Sequence, residues 1–136
     1  MKAVLLDTNA FAALFRGDQE ILEILAKAER VYASAIVIGE LEAGFRGGSR
    51  YAENLALLER FLARPTVEIL PVSRDTGNCF GRVKSALKAK GKPLPINDVW
   101  LAAQCLETGA VLVTYDQHFA VVDGLRIWPE PRSTPA

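Results

Sequence analysis

Two hydrophobic patterns alternate along the 136-residue chain. Short runs rich in Val, Leu and Ile, bounded by polar or turn-forming residues, predict buried strands. Between these runs, apolar residues recur every three or four positions, which is typical of amphipathic helices. The predicted strands lie at residues 3–7, 31–33, 67–70, 110–116 and 125–128. The predicted helices lie at residues 9–15, 18–28, 34–48, around 55–62, around 80–87 and from 96 to the glycine at 109.

This alternation of strands and helices predicts an α/β fold. Strand–helix–strand units cross over with a right hand and build a parallel sheet of about five strands with helices on both faces. Because no repeat or linker divides the chain, we expect a single domain over residues 1–128 and a short Pro-rich tail at 129–136. In an open parallel sheet, ligands bind beyond the carboxyl ends of the strands. Functional residues are therefore expected at that edge.

Four acidic residues are predicted at or near this edge. Asp7 ends the first strand, and Asp116 follows the fourth strand in VTYDQHF. Glu40 lies within the apolar stretch AIVIGELEAGF, where a buried charge needs a partner. Asp98 opens the helix that leads into the fourth strand. Acids from four distant segments are thus expected to converge on one rim of the sheet.

Each acid also has an ordinary structural interpretation. Asp98 suits the first turn of a helix, where an anion complements the helix dipole, and Asp116 suits a turn. Asp7 would simply end its strand if Thr8 or Asn9 caps the helix that follows. It is the agreement of four acids on one edge, rather than any single acid, that favours a functional site.

Converging carboxylates need a positive partner. Two carboxylates about 4 Å apart repel by about 4 kcal/mol at an effective dielectric constant near 20. Either a cation lies among them or their pKa values rise. His118 is the one nearby histidine, and a lone His in a polar turn is more often solvated, so we leave it out of the catalytic set. The remaining donors are hard oxygens, which favour Mg²⁺ or Mn²⁺ over Zn²⁺ or copper.

The charge balance limits how a nucleic acid could be held. Lys plus Arg and Asp plus Glu number 16 each, so an RNA partner would need a local basic patch. The densest basic run precedes the helix that carries Asp98, and Arg46 with Arg50 forms a second candidate rim. A run of this kind is also typical of a solvated helix face. The run comprises Arg82, Lys84, Lys88, Lys90 and Lys92.

The cysteines and the hydropathy of the chain bear on its compartment. Cys79 and Cys105 are far apart and outside any C-x-x-C spacing, which argues against a disulfide framework or a zinc site. No stretch approaches the roughly 20 apolar residues of a membrane span. We therefore expect a cytoplasmic protein with no membrane partner.

The acidic motifs resemble those of the PIN-domain nucleases. The resemblance is carried by Asp7 in LLDTN, Glu40 in SAIVIGEL, Asp98 in INDVWLAA and Asp116 in VTYDQHF, in this order. It covers the chain from Ala3 to about Trp128, and small, hydroxyl and aromatic residues of the pattern match Ser34, Gly44, Thr114 and Phe119. Each motif alone is weak, but the ordered set is strong. Small single-domain members of this family are usually VapC-type toxins of toxin–antitoxin pairs.

The resemblance implies a fold, an activity and partners. The fold would be a PIN-like three-layer α/β/α sandwich. The activity would be that of a metal-dependent endoribonuclease, commonly homodimeric, which a VapB-type antitoxin silences.

A mechanism for this chain follows as a hypothesis. Catalysis is assigned to the four acids, with Asp7, Asp98 and Asp116 holding one or two Mg²⁺ or Mn²⁺ ions and Glu40 completing the cage directly or through water. Uncharged groups close to these acids would orient a carboxylate or a metal-bound water. These groups are Thr8, Asn9 and Thr114.

Three other functions compete with the nuclease. A phosphatase that uses Asp as nucleophile would need a second acid where Asn9 stands, and a signalling receiver domain would need Asp at the end of the third strand, which reads EILPVS. The stronger rival is a catalytically silent, metal-stabilised module that binds RNA or a protein partner. Nothing in the residues themselves excludes that rival.

Overall fold

The predicted order of strands and helices is confirmed by the computed structural model, which describes residues 2–130. The strands are β1 (Ala3–Leu6), β2 (Arg30–Ser34), β3 (Val67–Leu70), β4 (Val111–Val113) and β5 (Ile127–Trp128). The helices are α1 (Thr8–Phe15), α2 (Gln19–Lys27), α3 (Ala35–Arg46), α4 (Tyr51–Leu62), α5 (Arg74–Lys90) and α6 (Ile96–Thr108). Most of the tail predicted at 129–136 lies outside the described residues.

The five strands form one parallel sheet in the order β3-β2-β1-β4-β5. The chain builds outward from β1 to β3 on one side and then returns to place β4 on the other side of β1. Val4 of β1 therefore lies between Val31 of β2 and Val111 of β4. Such a reversal of strand order opens a crevice at the carboxyl ends of the two strands concerned. Here those ends carry Asp7 after β1 and Thr114 after β4.

The core lies on both faces of β1 and β4. Val4, Leu5 and Leu6 are all fully buried, as expected for a parallel strand that is covered by helices on both sides. Phe11 of α1 is also fully buried and meets Phe61 of α4 edge-on, with the ring centroids 5.0 Å apart. This packing fixes α1, and with it the end of β1, against the helical layer.

Three predicted details are wrong at the carboxyl edge. The fourth strand ends at Val113 instead of 116, because the Thr114 hydroxyl bonds to Asp7 and accepts from the amide of Asp116. Neither Thr8 nor Asn9 caps α1, since both come after the cap. The fifth strand is shorter than predicted, and a 3₁₀ helix at Gln117–Val121, which the hydrophobic pattern does not indicate, precedes it. Within the described residues, no helix is long and apolar enough to cross a membrane.

The Phe11 contact gives a prediction about stability. Phe11→Ala should lower the free energy of unfolding by about 4 kcal/mol, because it leaves a cavity in a close-packed core. The matched control is Phe15→Ala on the same helix, where the ring is only half-buried and the loss should be clearly smaller. Urea unfolding followed by circular dichroism measures both. Equal losses in the two variants would contradict this description of the core.

Candidate active site

Asp7 joins three elements at the carboxyl edge. It is the N-cap of α1, where its Oδ1 accepts a hydrogen bond of 2.8 Å from the amide of Ala10. Its Oδ2 accepts from the Thr114 hydroxyl beyond β4, and its own amide donates to the carbonyl of Val113 at 3.2 Å. The side chain is therefore buried and fixed in position by β4 as well as by its own helix.

The surroundings of Asp7 make its carboxyl group harder to ionise. Burial raises the pKa of Asp7 above its ordinary value of 3.8, while the hydrogen bonds from Thr114 and Ala10 act in the opposite direction. The negative charges of Asp116 and Glu40 raise the pKa further. Asp7 thus lies within electrostatic reach of two of the predicted acids.

The pKa of Asp98 is raised by the same neighbouring acids. It is half-buried in the first turn of α6, as predicted. Burial raises its pKa from 3.8 to about 6, with further increases from the charges of Asp116, Asp7 and Glu40. The imidazole of His118 acts in the opposite direction. The structure therefore brings all four predicted acids into one electrostatically coupled group.

The position of Glu40 depends on a hydrogen bond from α1. It is half-buried on α3, and the Thr8 hydroxyl donates to its Oε1 at 2.9 Å. Thr8 therefore contacts one of the four acids directly. Asn9 is exposed, and its side chain makes no hydrogen bond to another described residue.

Asp116 and Thr114 complete the group from the β4 side. Asp116 begins the 3₁₀ helix, where its Oδ1 accepts from the amide of His118 at 2.9 Å and lies 2.7 Å from His118 Nδ1. The Thr114 hydroxyl accepts from the Asp116 amide at 3.0 Å while it donates to Asp7. One hydroxyl therefore sets the positions of two acids. The His118 side chain itself is exposed.

The chemistry of this group fits a hard divalent cation. Among residues 2–130, no three His, Cys, Asp or Glu side chains stand close enough together to enclose an ion as they are. The donors available are nevertheless carboxylate oxygens, and two of them have pKa values raised by their neighbours. A positive charge in their midst would relieve that repulsion, and oxygen ligands suit Mg²⁺ or Mn²⁺.

The basic residues predicted to contact RNA are all exposed. Lys84 and Lys88 border a cavity of about 280 Å³ between α5 and the segment that leads into α6. Lys90 is already engaged, since its Nζ lies 2.6 Å from Asp123 Oδ1 and donates to the carbonyl of Val121. In the second candidate rim, Arg46 pairs with Glu42 of the same helix. Arg50 precedes α4 and pairs with Glu53 in the first turn of that helix.

One polar pair near the site was not predicted as such. Ser34 is the N-cap of α3, and its Oγ accepts from the amide of Ile36. The same hydroxyl also donates to Gln104 of α6, which no motif singled out. The available signal was the amide itself, because Gln104 interrupts the otherwise apolar face LAAQC.

The raised pKa of Asp98 gives a prediction with a definite sign. The Asp98 carboxyl is harder to ionise in the folded chain than in the unfolded chain. The contribution of Asp98 to the free energy of unfolding is therefore greatest below about pH 4, where the carboxyl is protonated in both states. That contribution is lost as the pH rises through about 6 and the folded carboxyl must ionise. Asp98→Asn removes the charge. Without divalent cations at neutral pH, it should raise the free energy of unfolding by about 1 kcal/mol, a value discounted for the screening of a half-exposed group.

Asp75→Asn is the matched control, because Asp75 lies in the first turn of α5 and is exposed. It should lower stability by a few tenths of a kcal/mol through the lost helix-dipole interaction. Urea unfolding between about pH 4 and 8 follows both variants. A stability of Asp98→Asn that stays at or below the wild-type value at neutral pH would contradict the crowding of the acids.

Comparison with known proteins identifies the family to which this fold belongs. The PIN domain family matches residues 4–125. The chain is 31% identical to Ribonuclease VapC5 of Mycobacterium tuberculosis over 125 residues, which cover 90% of this chain and 89% of the relative. It is also 31% identical to Ribonuclease VapC2 of Haemophilus influenzae over 118 residues, which cover 84% of this chain and 86% of the relative.

Solved structures give the same result. The structure of DNA-bound VapBC from Salmonella typhimurium superposes with a TM-score of 0.83 at 27% identity, over 93% of this chain and 97% of that chain. The structure of VapBC-5 from M. tuberculosis superposes with a TM-score of 0.73 at 28% identity, over 93% of this chain and 98% of that chain. The chain therefore belongs to the PIN-domain family, among the relatives of the VapC ribonucleases.

Proposed function

We propose that this chain is a Mg²⁺- or Mn²⁺-dependent endoribonuclease and the toxin of a VapBC-type toxin–antitoxin pair. The observation that carries the proposal is the grouping of Asp7, Glu40, Asp98 and Asp116 at the carboxyl edge of the sheet. There the Thr114 hydroxyl joins Asp7 to Asp116, and the charges of the other acids raise the pKa values of Asp7 and Asp98. The relatives named Ribonuclease VapC support RNA as the substrate. The superposed VapBC complexes support a VapB-type antitoxin as the partner.

In the proposed site, Asp7, Asp98 and Asp116 would hold one or two metal ions, and Glu40 would complete the cage directly or through water. When bound, the metal would supply a Lewis acid that activates water as a nucleophile and neutralises charge on the phosphodiester. The protein's own contribution is to position the carboxylates. Thr114 holds Asp7 and Asp116, and Thr8 holds Glu40.

The same carboxylates explain why substrate binding should depend on the metal. Without a cation, four carboxylates on one rim repel an RNA backbone, because the carboxylates and the phosphates all carry negative charge. RNA binding and cleavage are therefore expected to fail together in a chelator. Lys84 and Lys88, together with Arg82 and Lys92, are the proposed backbone contacts, whereas Lys90 is already paired with Asp123.

Two further features of the proposal concern assembly. We propose that the toxin is homodimeric in the cytoplasm and that the antitoxin comes from a neighbouring gene. Co-expression with the product of that gene, followed by measurement of the complex mass, tests both. A monomeric toxin, or a neighbour that does not bind it, would contradict these two features without touching the nuclease.

The catalytic proposal predicts that Asp7→Asn folds but does not cleave. Asn caps helices about as well as Asp, so the variant keeps the start of α1 while it loses a carboxylate for the metal. Cleavage of single-stranded RNA in Mg²⁺ or Mn²⁺ should fall by about a hundredfold or more, as expected when a metal ligand is lost. Asp98→Asn should behave in the same way.

Asp18→Asn is the matched control for this experiment. Asp18 caps α2 as Asp7 caps α1, through an Oδ1 that accepts from the backbone amide three residues on, but it is not one of the four acids. It should cleave at the wild-type rate. Equal cleavage by wild type and Asp7→Asn would disprove the assignment, and no cleavage by wild type with either metal would favour the silent module.

A further inference from the structure

A buried hydrogen bond links the two helices that carry Glu40 and Asp98. The Ser34 hydroxyl, at the start of α3, donates to Gln104 Oε1 of α6 at 2.6 Å. Both side chains are fully buried. The bond joins residues 70 positions apart in the sequence, and it is therefore a tertiary link that local structure does not require.

Gln104 is connected on its other side to a third element. Its Nε2 donates to the carbonyl of Pro71 at 3.3 Å and more weakly to that of Leu70 at 3.5 Å. Because carbonyls only accept, this arrangement fixes which end of the amide faces Ser34. Gln104 thus bridges α6, the start of α3 and the end of β3, and the amide cannot turn over without losing its partners.

The two acids stand at equal distances along their helices from this link. Glu40 comes six residues after Ser34, and Asp98 comes six residues before Gln104. At 1.5 Å per residue, each acid lies about 9 Å along its helix axis from the bonded pair. A sideways shift of either helix at the link would therefore be passed on to the separation of the two carboxylates.

From this geometry we infer that Gln104, through Ser34, is a positioning residue that sets the separation of Glu40 and Asp98 and thereby the affinity of the site for its divalent cation. The inference rests on the proposed metal site. Apolar packing alone leaves helices some freedom to slide, whereas a buried hydrogen bond of 2.6 Å has one preferred geometry. The affinity for a hard cation such as Mn²⁺ should depend on this geometry.

A second polar residue bonded to α6 serves as a control for a purely structural role of Gln104. Thr76 of α5 is also fully buried, and its hydroxyl donates to Glu107 of α6 at 2.9 Å. This bond joins α6 to α5, which carries none of the four acids. Loss of either hydrogen bond should reduce stability, but only loss of the Ser34–Gln104 bond should change metal binding.

The test measures Mn²⁺ binding by calorimetry in the full chain, without RNA. Gln104→Met keeps the side-chain length and removes the amide, and Ser34→Ala removes the hydroxyl from the other side. Each should weaken Mn²⁺ binding by about tenfold, the lower range for groups that orient metal ligands. Thr76→Val should bind Mn²⁺ as the wild type does, and urea unfolding verifies that the variants are folded.

Wild-type affinity in a folded Gln104→Met or Ser34→Ala would overturn the inference and leave the proposed nuclease intact. A comparable loss in Thr76→Val would also overturn it, because any weakening of α6 would then suffice. If the wild type itself binds no Mn²⁺, the proposed metal site is wrong and the inference falls with it.

Discussion

The mutual repulsion of four carboxylates is the constraint on which the rest of the site depends. Asp7 and Asp98 both have raised pKa values, and in each case burial is the largest cause and the neighbouring acids add to it. A protein gains nothing in stability from such an arrangement. The arrangement is explained if a divalent cation joins the group and the repelling carboxylates become its ligands. Under the proposed function, RNA binding would then depend on the metal, because the cation would allow a phosphate to approach the acids.

The order of the strands brings the acids together at one edge of the sheet. The strand order reverses at β1, so β1 and β4 end side by side at an open crevice. Asp7 follows one strand and Thr114 the other, and the hydrogen bond between them closes the two ends together. Glu40 and Asp98 reach the crevice from α3 and α6. The proposed function therefore needs no long loop, only side chains on or next to regular elements.

Much of this arrangement could be predicted from the sequence, because it depends on local pattern. Apolar runs define the strands, and the parallel sheet then requires that Asp7 and Asp116 share an edge. What could not be predicted depends on tertiary contacts. Asp7 caps α1 in place of Thr8 or Asn9 because its second oxygen is held by Thr114, and β4 ends early because that hydroxyl is used in the site. The amide of Gln104 stands out in an apolar stretch, but its partners could not be predicted, since they lie at the ends of two distant strands.

The most direct test of the account is the titration of the Asp98 carboxyl by carbon-13 NMR, with and without Mg²⁺. Without the metal, its pKa should lie near the value of about 6 that burial and the neighbouring acids produce. Saturating Mg²⁺ should lower this pKa to below the ordinary value of 3.8, because the cation favours the charged form. A pKa of Asp98 that is ordinary without metal and unmoved by Mg²⁺ would contradict the central claim.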